Sequence, residues 1–110
     1  MPIDKDAMLR NMRASEFKRN NAKVLLVINI LRHQFESLPD VRYALDKMDE
    51  SKFLDSINFL SEEGYIKLRT IDRHQDTTIA DTDYDQLEAK VTSKGIRLLA
   101  GEIVDLQVEV

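Results

Sequence analysis

The sequence predicts a single α+β domain in which three helices precede a two-stranded hairpin and a fourth helix follows it. Apolar residues recur at helical spacing as far as Leu60. Two short segments, around Ile66 and around Ala89, instead alternate apolar and polar residues, as half-buried strands do. A chain of 110 residues with 43% hydrophobic residues suits one globular domain with a modest core.

The first helix is predicted within residues 20–37. Val24, Ile28, Leu31 and Phe35 are spaced so that they share one face of a helix. Further apolar residues extend around the cylinder: Leu25, Leu26, Val27 and Ile30. Because a helix that is apolar on most sides needs cover on most sides, we expect the N-terminal segment or a second subunit to pack on it, and we expect a homodimer.

The N-terminal segment has a charge opposite to that of the rest of the chain. We expect residues 1–21 to form a basic arm or helix and residues 22–110 to form the folded domain. Residues 1–23 carry six Lys and Arg against three acidic residues, whereas residues 24–110 carry ten against seventeen. A basic segment of this kind suits contact with phosphates, and the alternative is a solvated, partly frayed terminus.

Two short amphipathic helices are predicted next. Ser37 is a suitable cap for the second helix and Pro39 is tolerated in its first turn. The apolar face of that helix consists of Val41, Ala44, Leu45 and Met48. Asp49 or Ser51 can cap the third helix, and Gly64 is placed to end it. The buried stripe of the third helix consists of Phe53, Ile57 and Leu60.

A hairpin and a closing helix complete the predicted domain. Ile66 and Leu68 alternate with polar residues in the first strand, and the returning strand repeats the pattern from Leu87 to Val91. The connecting residues 72–86 carry one Arg against five Asp. Thr92 can cap the last helix. Gly101 is placed to end that helix, and the tail beyond it is expected to pair as a short strand or to pack on the first helix.

Two sequence phrases resemble the winged helix-turn-helix superfamily, in particular MarR-like proteins and small phage or prophage regulators. They are Leu60-Ser-Glu-Glu-Gly64-Tyr65-Ile66 and Val91-Thr92-Ser-Lys94-Gly95-Ile-Arg-Leu98-Leu99. The resemblance covers about residues 24–101 and implies a three-helix core, a two-stranded wing and a C-terminal helix. It also implies a small DNA-binding transcriptional regulator. A winged helix that binds protein and not DNA is the alternative.

The resemblance implies a nucleic-acid-binding surface, since the third helix of such proteins enters the major groove of double-stranded DNA. Four candidate residues lie on the third helix: Ser51, Lys52, Asp55 and Ser56. Three more lie at the base of the wing: Lys67, Arg69 and Arg73. Phe59 falls off the buried stripe, so it is expected either to pack beneath the wing or the second helix or to mark a partner surface.

The charge of the third helix favours the alternative function. Residues 49–63 carry one Lys against five acidic residues, and the chain has a pI near 5.1. Affinity for DNA comes mainly from Lys and Arg that displace counterions, so an acidic helix works against insertion into a groove. The opposite interpretation is a module whose acidic helix faces a basic protein partner.

Several other classes of site are not expected. The Asp81-x-Asp83-x-Asp85 pattern departs from a calcium loop at Gln86 and Thr92, and the two histidines have no second ligand at metal spacing. Without cysteine there is no disulfide, thiolate nucleophile or Cys-ligated zinc. No catalytic motif and no phosphate-binding loop is present. We therefore expect no enzyme activity, no catalytic residues, no metal and no cofactor.

Neither a signal peptide nor a membrane span is predicted. The longest apolar run is residues 24–28, far shorter than the roughly 20 residues that a transmembrane helix needs. The first residues contain no apolar stretch typical of a secretory signal. We therefore expect a soluble protein of the cytoplasm.

Overall fold

The computed structural model describes residues 4–110, and this part of the chain has an α+β fold. It contains four α-helices and one three-stranded antiparallel sheet. In chain order the elements are α1 (Lys5–Asn29), β1 (Glu36–Ser37), α2 (Leu38–Ala44), α3 (Glu50–Glu62), β2 (Ile66–Thr70), β3 (Leu87–Val91) and α4 (Ser93–Leu99). A 3₁₀ turn at Tyr84–Gln86 leads into β3.

The sheet has the order β1-β3-β2, so the strand that comes last in the chain is the central one. In β3, Ala89 lies opposite Leu68 of β2 on one side and opposite Glu36 of β1 on the other. The alternation predicted for the hairpin is confirmed, because the apolar residues of both strands face the core. The sequence did not indicate β1, since two residues are too few to show any periodicity.

Helix α1 is longer at its start and shorter at its end than the sequence predicted. It begins at Lys5, where the Asp4 side chain caps the Ala7 amide at 3.1 Å, and continues without a break through residues 21 and 22. It ends at Asn29, so the prediction that the helix continues through Leu31 and Phe35 is wrong. Leu31 consequently leaves the core stripe and is 48% exposed.

Phe35 also lies outside α1, and its contacts explain why the helix stops early. The chain turns after α1 so that β1 can pair with β3. The Phe35 ring then lies 3.5 Å beneath the guanidinium carbon of Arg69 in β2. A cation over an aromatic ring is favourable, and this contact attaches the turn to the sheet.

The start of α2 and both limits of α3 are as predicted, but α2 ends at Ala44, so the prediction that it continues to Met48 is wrong. The Ser37 hydroxyl accepts a hydrogen bond from the Asp40 amide at 3.2 Å at the start of α2. Asp49 is the N-cap residue of α3, although its side chain makes no capping bond. Gly64 ends α3 with a φ of +79°, which is the left-handed conformation that glycine adopts without strain.

The core lies between α1, α3 and the sheet. Its largest completely buried side chains are Phe53, Leu25, Ile28, Leu38, Ile57, Leu60, Leu87 and Leu98. The C-terminal tail forms no strand and packs on α1, which was one of the two predicted possibilities. The side-chain amide of Asn21 donates a hydrogen bond to the carbonyl of Gln107 at 2.9 Å, and Val108 is buried beside it.

Helix α4 approaches the start of β2 closely. Its cap is the predicted one, since the Thr92 hydroxyl accepts a hydrogen bond from the Gly95 amide at 3.1 Å. A Cβ atom on Gly95 would lie closer than 3.0 Å to the carbonyl oxygen of Tyr65. That oxygen also accepts a hydrogen bond from the Thr92 amide at 3.0 Å. Only glycine therefore fits at this position without a shift of the backbone.

Candidate functional site on the third helix and the hairpin loop

The outward face of α3 is a narrow strip of polar residues. Ser51, Asp55, Asn58 and Glu62 are exposed and follow one another at intervals of three or four residues along one side of the helix. We call these four residues the outer strip. It contains two carboxylates and no cation, so its charge is negative.

Ser56 is not part of this surface. Its side chain is completely buried, and its hydroxyl oxygen has no hydrogen-bond partner among residues 4–110. Ser56 lies three residues after Phe53 and four before Leu60, so it shares their inward face. Ser56, one of the predicted nucleic-acid-binding residues, therefore does not reach the surface of the protein, and its predicted exposure is wrong.

Lys52 lies at the edge of α3 next to α1, and its ammonium group forms a salt bridge with Glu16 of α1. Its ammonium nitrogen is 2.6 Å from a Glu16 carboxylate oxygen and 3.9 Å from an Asp49 oxygen. The hydrogen bond between them lowers the pKa of Glu16 and raises the pKa of Lys52, although burial opposes both shifts. Lys52 therefore links α3 to α1, and its side chain remains 43% exposed while it does so.

Phe59 lies on the same edge of α3 and is half-buried. Its ring packs edge-to-face against the ring of Phe17, with centroids 5.4 Å apart. Phe59 therefore packs inside the protein, one of the two expected outcomes, but its partner is α1 and not the hairpin loop or α2. Together with Lys52, it identifies the side of α3 that α1 covers.

Of the three predicted cations near the hairpin, one is engaged inside the protein. The Arg69 guanidinium donates hydrogen bonds to a Glu88 carboxylate oxygen at 3.2 and 3.3 Å and also stacks on Phe35. Lys67 and Arg73 are exposed and make no ion pair within residues 4–110. Of these cations, Lys67 and Arg73 therefore have a charge that is open to a ligand.

The hairpin loop, residues 71–86, is exposed and acidic. Hydrogen bonds to Thr70 fix the start of this loop. The Thr70 carbonyl accepts from the His74 amide, the Thr70 hydroxyl accepts from the Gln75 amide, and the Thr70 amide donates to the Gln75 carbonyl. The carboxylates of the loop are all exposed: Asp72, Asp76, Asp81, Asp83 and Asp85. Among residues 4–110, no three His, Cys, Asp or Glu side chains converge as metal ligands would. The negative charge of the loop adds to that of the outer strip.

Two surface cavities flank the bridge between Glu16 and Lys52. One of about 430 Å³ reaches the turn between α2 and α3, and one of about 360 Å³ lies beside Ser51 and Asp55. Asn20, which is 8% exposed, lines both of them. Of the seven predicted residues, Ser56 is buried, and Lys52 and Arg69 are paired with carboxylates of the same chain. The other four are exposed: Ser51, Asp55, Lys67 and Arg73.

Comparisons with protein-family models, with curated proteins and with solved structures found no match to this chain. No helix within residues 4–110 is long and apolar enough to cross a membrane.

Proposed function

We propose that this chain is a winged helix-turn-helix domain whose third helix binds a basic protein partner through the outer strip. The order of elements supports this fold, because α2 and α3 precede a hairpin that corresponds to the wing. The sheet order β1-β3-β2 also supports it, since the short β1 completes a sheet with the two wing strands. The fold alone does not choose between partners, so the choice rests on the site.

The observation that carries the proposal is the absence of any cation on the outer strip. Asp55 and Glu62 are exposed there, and Lys52, the one lysine of α3, is bonded to Glu16. A helix that enters the major groove meets phosphates on both sides and depends on Lys and Arg to displace their counterions. The outer strip would instead repel them.

A basic surface on a protein fits the same strip. The carboxylates of Asp55 and Glu62 accept hydrogen bonds from Lys or Arg, while Ser51 and Asn58 offer polar groups that bond with either a donor or an acceptor. The exposed carboxylates of the hairpin loop extend the negative field and would speed the approach of a cationic partner. We therefore expect the affinity to fall as salt is added.

Fluorescence anisotropy with two labelled probes tests this proposal: a lysine-rich peptide and a generic DNA duplex, both at low salt. We expect the peptide to bind and D55N/E62N to weaken it several-fold. The matched control is D83N/D85N, which removes the same charge from the hairpin loop and should change the affinity less. Equal losses in the two variants would show that only the net charge of the protein matters, and would contradict a site on α3.

DNA binding is the second candidate function, and the exposed cations favour it. Lys67 and Arg73 are free at the base of the hairpin, and Lys5, Arg10 and Arg13 are exposed along the start of α1. In this case the protein acts as a small regulator of the phage or prophage type and contacts phosphates more than base edges. Duplex binding that K67Q/R73Q weakens would establish this candidate in place of the first.

We also propose that the protein acts in the cytoplasm, because a chain without cysteine suits a reducing compartment.

A further inference from the structure

The first part of α1 extends away from the rest of the protein. Within residues 5–15, which we call the arm, only Ala7 is partly buried and all other residues are exposed. Three of the exposed residues are apolar: Met8 (51% exposed), Leu9 (48%) and Met12 (63%). No other part of residues 4–110 covers these three side chains, so the arm offers an apolar surface against which another molecule can pack.

A second exposed apolar surface lies at the other end of the same helix. Leu26 is 50% exposed and Ile30 is 73% exposed. Beside them runs a groove of about 330 Å³ between the end of α1 and α2, which we call the α1–α2 groove. Its lining includes Val27, Ile30, Leu31, Phe35, Glu36 and Asp40. All the large apolar residues of α1 that are exposed lie either in the arm or on this second surface.

The two surfaces are arranged symmetrically about Arg19. Met8 and Ile30 each lie eleven residues from Arg19, while Met12 and Leu26 each lie seven residues from it. At 3.6 residues per turn, these intervals place all five residues on one side of α1. Two copies of α1 packed antiparallel around a two-fold axis at Arg19 would therefore bring Met8 against Ile30 and Met12 against Leu26, twice over.

One charge of the arm complements the groove. Lys5 lies fourteen residues from Arg19 and so close to the same side of α1, whereas Glu36 and Asp40 line the α1–α2 groove and form no ion pair within residues 4–110. Partial burial, together with the nearby Asp40, raises the pKa of Glu36, which is what an acid without a cationic neighbour shows. The unfavourable contact is that of Arg19 with its own copy at the two-fold axis, where pairing brings two like charges together inside the contact and weakens it.

We propose that two copies of this chain associate through α1, packed antiparallel, with the arm of each copy lying along the α1–α2 groove of the other. The pairing covers the apolar residues of both surfaces in each copy. The contact uses α1 and α2 and leaves the outer strip of α3 free.

A complementation experiment tests this arrangement by sedimentation. The unmodified chain should be a dimer, and M8K/M12K and L26E/I30E should each be monomers with unchanged melting of the core, because all four positions are exposed. An equimolar mixture of the two variants should form a heterodimer at least tenfold tighter than either variant alone. In that heterodimer the unmodified arm of L26E/I30E packs on the unmodified Leu26 and Ile30 of the other chain, as in the native dimer. The second arm contact pairs the introduced Lys residues with the introduced Glu residues.

Two results would overturn the proposal: an unmodified chain that stays monomeric at high concentration, or a mixture that does not recover the dimer. The second result would point to pairing of arm with arm or of groove with groove.

Cysteine crosslinking measures the register independently, because the chain has no cysteine of its own. In an antiparallel pair centred on residue 19, R19C places two thiols across the axis, within the roughly 7 Å between Cα atoms that a disulfide allows. With oxidised glutathione as the oxidant, R19C should form a covalent dimer. In the control S15C, one turn away, the two cysteines lie about 12 Å apart along the helix axis. S15C should therefore form much less covalent dimer than R19C. Equal crosslinking of the two variants would refute this register.

Discussion

Removing the Phe17–Phe59 contact tests whether α1 covers one edge of α3. Truncating a completely buried Phe to Ala costs about 3–5 kcal/mol, and both rings here are half-buried. We therefore expect F17A and F59A each to lower the free energy of unfolding by about 2 kcal/mol. An edge-to-face pair contributes about 0.5–1.5 kcal/mol beyond burial, so the double variant should lose about 1 kcal/mol less than the sum of the single losses.

Urea denaturation followed by circular dichroism measures all four proteins of this cycle. The control pairs F59A with L54A, because Leu54 is also half-buried on α3 and is not the residue that contacts the Phe59 ring edge-to-face. A cycle between Phe17 and Phe59 that is additive within about 0.3 kcal/mol would refute the contact. A loss below about 0.5 kcal/mol for F59A would show that its ring is on the surface and open to a partner.

Three further predictions concern single residues. G95A should lower the free energy of unfolding by about 1–3 kcal/mol, because its Cβ would press on the Tyr65 carbonyl; an unchanged melting temperature would contradict this. S56A should leave stability unchanged or raise it by up to about 1 kcal/mol, since the buried hydroxyl has no partner; a clear loss would reveal an unseen bond. Lys52 lowers the pKa of Glu16, so the stability this pair contributes is present above pH 4.5 and is lost as the pH falls through the lowered pKa. E16Q should flatten that acid limb of the stability profile, and an unchanged limb would show that the pair contributes nothing.

The elements that follow from local patterns were predictable. The stripe of Phe53, Ile57 and Leu60, the Gly64 helix stop and the Thr92 cap depend on residues close in sequence, and all three are observed. The end of α1 depends on a distant strand, because the chain leaves the helix in order to pair β1 with β3. A prediction from apolar spacing alone therefore extends the helix through Leu31 and Phe35, beyond its true end at Asn29.

The candidate site was only partly predictable, for a similar reason. That Lys52 and Arg69 carry positive charge is evident from the sequence, but their partners Glu16 and Glu88 are found only in the folded chain. A sequence pattern that identifies a cation cannot show whether its charge is already neutralised. The surface charge of α3 and of the hairpin loop therefore has to be counted after internal ion pairs are removed.

One indication in the sequence did point to the cover on α3. Phe17 and Asn21 continue the stripe of Val24 and Ile28 towards the N-terminus at intervals of three and four residues. Extending the stripe would have predicted one long helix with Phe17 facing inward. The basic charge of residues 1–23 instead indicated a separate arm. Charge patterning says little about where a helix begins, so this prediction missed the continuous helix.

An amide NMR titration of the unmodified chain, first with the lysine-rich peptide and then with a generic duplex at low salt, shows which of the two ligands α3 binds. We expect the peptide to shift the amides of Ser51, Asp55, Asn58 and Glu62 and the duplex to leave them unmoved. Salt should reverse the shifts caused by the peptide. Shifts of the same four amides with the duplex, and none with the peptide, would rule out a protein-binding outer strip and identify α3 as a DNA-binding helix.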